Sequence, residues 1–324
     1  MFHMAKLKKQ HMTIHWKAIV QDDSSIPATE ATLKEKATLV GRVGLMMLSV
    51  GTGAWRVRNS MNKVARCLGI TCTADIGLLA ISYTCIEGTD TYTQSISNPT
   101  TGVNTHKLME LELFMKEFPD KVSTYSVKHI HEVLDEIQKL PANYKAWNLG
   151  LASALACGAF TFLLGGGPVE MCCAFLGAGV GNFVRKKMLG HSISLLANVA
   201  VSVAASCLVY VLTILLAQSL LSVSAVHQAG YICAMLFVIP GFPLITGGID
   251  LAKLDLRSGL ERVSYALLII LTATMTGWAT AAICASCSSF RFCILFPRKY
   301  STTIATISTA KMTKRTIIGV DIIY

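Results

Sequence analysis

Charged side chains are scarce in the apolar half of this 324-residue chain, so each one there is a first place to look for chemistry. From Trp147 to Ala285 there are six Lys or Arg and four Asp or Glu. Asp250 follows Gly247-Gly248 at the end of an apolar run. At membrane depth its carboxylate would bind a proton or a substrate ammonium, with Arg262 available for a substrate carboxylate. Near an interface it would be solvated or pair with Arg257 or Arg262. Glu170, at the start of another apolar run, has the same two readings, and the interfacial one is favoured. Pro240 and Pro243 remove backbone donors on either side of Gly241, which predicts a broken or kinked helix. Transporters place substrate groups at such breaks, and plain structural kinks are at least as common.

Other residues that could do chemistry give weaker readings. His106, His129 and His131 read as solvated surface groups. His129 and His131 stand two apart on a helix and face different directions, which is poor geometry for sharing a metal. Gly51-Thr52-Gly53 precedes a helix and could offer backbone N–H groups to an anion. It lacks the Lys-Ser/Thr of a P-loop, so a joint between helices is the preferred reading. Cys284 and Cys287 form a C-x-x-C with no second pair or histidine at ligand spacing. Six of the eleven cysteines lie in apolar runs, where a thiol packs as a small hydrophobe. No cofactor or metal is implied. The net charge of +10 forms no aromatic-interleaved basic stripe, so no nucleic-acid partner is expected.

The elements that must position these residues follow from hydrophobic patterning. A polar segment, 1–29, shows no apolar secretory core. Residues 30–145 read as a small α/β domain: helical periodicity on either side of Gly51-Thr52-Gly53, a β-hairpin from Ile76–Ile86 to Thr91–Ile96, and two further helices ending before Pro141. Residues 146–285 hold five runs near spanning length, at about 147–165, 169–184, 193–221, 230–249 and 263–285. The expected fold is thus a membrane all-α helical bundle preceded by a cytoplasmic α/β domain. Gly177-x-x-x-Gly181 offers a smooth face for close helix packing. Arg185-Lys186-Lys187 and the Lys253, Arg257, Arg262 group place their loops, and the α/β domain with them, on the cytoplasmic side.

Several segments resemble the N-terminal domain of the threonine/serine exporter family: SVGTGAWRVRNSMNKVARCLGI (Ser49 to Ile70), FLLGGGPVEMCCAF (Phe162 to Phe175), and VIPGFPLITGGIDLAKLDLRSGLERVSYA (Val238 to Ala266). Order and spacing match over most of residues 30–280. Pro240, Gly241, Asp250, Gly259 and Arg262 stand at the family's characteristic positions. The resemblance implies secondary export of threonine, serine or a small carboxylate, driven by the proton motive force, across the cell membrane. It also implies a second hydrophobic domain, carried in the same chain or supplied by a partner protein. An enzyme is disfavoured because no nucleophile and base can be placed together from the sequence. The tail, 286–324, is basic and patchily apolar and reads as the product of a truncated or frameshifted gene. A non-transporting assembly subunit is the competing reading, and a homo-oligomer is compatible with both.

Overall fold

The structure, a computed structural model, describes Trp16 and residues 26–98, 102–141, 144–189, 193–221 and 229–286. Most of the polar N-terminal segment, residues 222–228, Cys287 and the basic tail after residue 286 lie outside the described residues. The chain divides into two compact units: Met1–Asn143 with Pro240–Leu268, and Tyr144–Ile239 with Ile269–Tyr324.

The first is an α/β unit. Thr32 starts α1 (Leu33–Ser49) with a reciprocal capping box, in which its hydroxyl accepts from Glu35 N–H and the Glu35 carboxylate accepts from Thr32 N–H. Gly51, at φ +91°, takes the left-handed conformation that ends this helix before α2 (Ala54–Cys67) begins. Leu39, Val40, Val43 and Met47 of α1, with Val57, Met61 and Val64 of α2, are fully buried. Three antiparallel strands follow in sequence order, β1 (Thr71–Ile76), β2 (Ala80–Glu87) and β3 (Asp90–Ser97). Ile81, Tyr83 and Cys85 face the core. On the other face, Ser82 pairs with Ser95 and Thr84 with Thr93 through their hydroxyls, at 3.0 and 2.9 Å. Gly41 lets α1 approach this sheet, since a Cβ there would stand 2.2 Å from the Tyr83 hydroxyl. Asn104 and Ser126 cap α3 (Thr105–Lys121) and α4 (Val127–Lys139).

Two details differ from the sequence reading. Ile76 closes a strand of its own instead of opening the hairpin, and Leu79 is exposed in the connection. A distant group holds that connection: Leu78 N–H donates to the Glu261 carboxylate at 2.6 Å. His131, expected at the surface, is buried on α4.

The second unit is helical: α5 (Ala146–Leu163), α6 (Pro168–Met188), α7 (Leu195–Leu221), α8 (Ala229–Ala234), a 3-10 turn at Leu236–Val238, and the part from Ile269 onward of the last described helix. In the first unit, α9 (Gly241–Ala252) is followed by the start of α10 (Leu256–Ser286). Leu155, Phe162, Leu212, Leu216, Leu271, Met275 and Trp278 are exposed on α5, α7 and α10, an outward apolar surface that water would not tolerate and lipid requires.

Among the described residues, three helices are long and apolar enough to cross a membrane, α5, α7 and α10, or four if α8 with its turn and α9 count as one broken span. The chain is therefore a mostly helical membrane protein. One of the five runs expected from the sequence, α6, is not among them. It carries Glu170 in its first turn, Arg185-Lys186-Lys187 in its last, and a run of small residues between. Those small residues set its packing. A Cβ on Gly177 would meet the Ser206 carbonyl at 2.9 Å, and one on Gly181 would meet Phe237 and Ser206 at 2.7 Å each. Gly181→Leu is expected to destabilise the helical unit by about 1–3 kcal/mol through overpacking. Thermal unfolding of the full chain in detergent reads this, and an unshifted midpoint would show that α6 is not clamped there.

Candidate functional site

The sequence-predicted pair Asp250 and Arg262 comes together in the α/β unit. The first N–H groups of a helix have no intrahelical acceptor. At the start of α2, Ala54 N–H donates to both carboxylate oxygens of Asp250, at 3.1 Å each. An anion at a helix N-terminus is favourably placed. The approach needs Gly53, because a Cβ there would stand 3.0 Å from Asp250 Oδ1. Ser258 and Arg262, four apart on α10, share one helical face. Ser258 Oγ donates to Asp250 Oδ2 at 3.0 Å, Arg262 Nε donates to Ser258 Oγ at 3.1 Å, and Arg262 Nε lies 3.2 Å from Asp250 Oδ2.

The cluster is buried: Asp250 and Ser258 are 0% exposed and Arg262 3%. Its charges nearly neutralise each other, which is what makes such burial tolerable. One donor is left over, since Arg262 Nη2 is buried with no partner among the described residues. Such a nitrogen costs about 1–3 kcal/mol until an acceptor reaches it. A ligand carboxylate is one acceptor of the right chemistry.

Flanking contacts within the unit hold α9 and the start of α10 in place. Arg58 forks onto Asp255 at 2.8 and 3.4 Å, Arg257 pairs with Asp75 and Glu261, and the Lys253 ammonium sits 3.8 Å from the Trp55 ring centre.

Glu170 does not join this cluster. It belongs to the helical unit, where it is buried and its carboxylate accepts from Gly167 N–H as the first-turn partner of α6. The proline segment lies where the helix stops at Val238 and restarts at Gly241, with Pro240 as N-cap and Pro243 in the first turn of α9, where a missing N–H costs nothing. A Cβ on Gly241 would meet nothing within 4 Å, so packing does not require glycine there. Before the break, the Ala234 carbonyl accepts from Ser206 Oγ at 2.7 Å and the Phe237 carbonyl from Arg185 Nη1 at 3.2 Å.

Sequence reasoning missed Ser258 and Ala54. The available signal was Gly51-Thr52-Gly53 ahead of a helix, an anion-presenting arrangement whose anion is the chain's own Asp250.

Long apolar helices joined to an α/β unit that holds a buried carboxylate–guanidinium cluster define an integral membrane protein. The chain belongs to the family described as "Putative threonine/serine exporter", whose model matches residues 38–285. It is similar to the "Probable succinate transporter subunit YjjP" of Klebsiella aerogenes, with 26% identity over 236 residues, 72% of this chain and 87% of that protein. It is similar also to the protein of that name from Escherichia coli K12, with 25% identity over 235 residues, 72% and 88% of the two chains. No solved structure matches.

Proposed function

We propose that this protein is one subunit of a proton-driven membrane exporter of a small carboxylate or carboxylate-bearing amino acid, and that a partner protein supplies the second hydrophobic domain. The observation that carries this reading is the buried Asp250–Ser258–Arg262 cluster with its spare guanidinium N–H, inside the family-matched region. The naming of both relatives as succinate transporter subunits supports the carboxylate class and the need for a partner. The basic residues between the apolar runs favour a cytoplasmic α/β unit.

In this reading, a substrate carboxylate and Asp250 compete for Arg262. Protonation of Asp250 weakens its hold on the guanidinium and frees it for substrate; loss of the proton restores the internal pair and expels substrate. The test is efflux of succinate, threonine and serine from loaded vesicles, comparing the chain alone, the chain with its partner, and Asp250→Asn with the partner. Efflux is expected only with the partner, and is expected to fall at least tenfold in the Asn variant. Undiminished efflux in a folded Asp250→Asn protein would remove Asp250 from the mechanism. Assembly without any efflux would leave the non-transporting subunit as the better reading, one that the relatives' subunit names also support.

A further inference from the structure

A second cluster of buried donors lies in the α/β unit, apart from Asp250, around a cavity of about 90 Å³ bordered by α1, α3 and α4. Arg42 of α1 lines it and is 1% exposed. Its Nη1 donates to His131 Nδ1 and to the His131 carbonyl, both at 2.9 Å, and its Nη2 donates to Asp135 and, at 3.3 Å, to Gln138 Oε1. Its Nε–H has no partner among the described residues, and neither does Asn98 Nδ2, on a second lining residue. Lys107 adds an ammonium to the same lining, donating to the Gln138 carbonyl at 2.7 Å.

Of the side-chain oxygens on the lining, Gln138 Oε1 already accepts from Arg42, and the Ser49 hydroxyl proton is directed to the Met46 carbonyl. What remains is a donor-rich lining with apolar walls at Leu45 and Leu111. Buried donors without acceptors are uncommon and call for an occupant. Space for several waters is enough for a short-chain organic acid. A bare inorganic oxyanion would leave the apolar walls without contacts.

We propose that this cavity binds a small organic carboxylate, whose oxygens accept from Arg42 Nε, Asn98 Nδ2 and Lys107 Nζ and whose carbon skeleton lies against Leu45 and Leu111. The assignment is independent of the transport reading, because none of these residues belongs to the Asp250 cluster.

Calorimetric titration of the purified full chain in detergent with succinate, succinamide and inorganic phosphate tests it. Succinate is expected to bind, with affinity about tenfold or more weaker in Asn98→Ala and in Lys107→Met, each of which removes one hydrogen bond to a charged ligand. Both positions are half-buried, and unchanged melting temperatures would separate loss of the site from loss of the fold. Absence of succinate binding, or binding of equal strength in both variants, would overturn the proposal. Equal binding of succinamide would refute the carboxylate, and phosphate binding in place of succinate, weakened by the same substitutions, would refute the organic skeleton.

Discussion

Arg262→Met is expected to destabilise the α/β unit by about 3 kcal/mol, at the lower end of the range for breaking a buried ion pair. The substitution strands the Asp250 carboxylate at 0% exposure, while Ala54 N–H, the α2 N-terminus and Ser258 still answer part of its charge. Asp250→Ala should cost at least as much, because it leaves the guanidinium charge buried and removes the acceptor from the start of α2. The double variant Asp250→Ala/Arg262→Met should be less destabilised than the sum of the singles, and the shortfall measures the coupling. Thermal and denaturant unfolding of the purified full chain in detergent give all three values. Single variants within about 0.5 kcal/mol of the parent would show that the pair is solvated and contributes nothing.

The second large effect is a loss of stability in mild acid, caused by His131. Burial and the neighbouring Arg42 charge push its imidazole down to about 3 from the usual 6.5, with Asp135 opposing them. Because Arg42 can only donate, Nδ1 accepts and the proton of the neutral ring sits on Nε2. The unfolded chain takes up a second proton below about pH 6.5, which the folded unit refuses until about pH 3. This contribution is therefore fully present above pH 6.5 and lost as pH falls towards 3, with a slope near 1.4 kcal/mol per pH unit, or about 2 kcal/mol by pH 5. His131→Gln offers Arg42 an amide oxygen and no titrating group, so its unfolding midpoint should be flatter between pH 7 and 5. Identical slopes in parent and variant would assign the acid sensitivity to other groups.

What the sequence shows is set by local pattern. Alternation in β2 and β3 identifies the hairpin because one face is core and the other is hydroxyls. The apolar runs identify α5, α7 and α10 because lipid demands apolar residues on every outward face. The strand β1 escapes because TCTADI is short, mixed in polarity, and held by pairing with β2 instead of by its own pattern. The α6 run reads as a span because its middle is small and apolar, with Glu170 and Arg185-Lys186-Lys187 at its ends. Asp250 and Arg262 are visible as charges in apolar surroundings, but their partner at Ala54 is 196 residues from Asp250. No local pattern reports a backbone N–H as the acceptor's mate. His131 misleads in the opposite direction: histidine is ordinarily a surface residue, and only the Arg42 fork explains its burial.

The α2 cap also bears on the order in which the protein is made. Chains emerge from the ribosome N-terminus first, and domains fold as they are completed. The α/β unit is discontinuous, Met1–Asn143 with Pro240–Leu268, and the group that answers the start of α2 arrives only with Asp250. All of α5 through α8 must therefore be synthesised before the first unit can close. A nascent chain halted after Asn143 carries an uncapped helix and an unmet set of ion-pair partners, so the earliest residues to emerge are among the last to be finished.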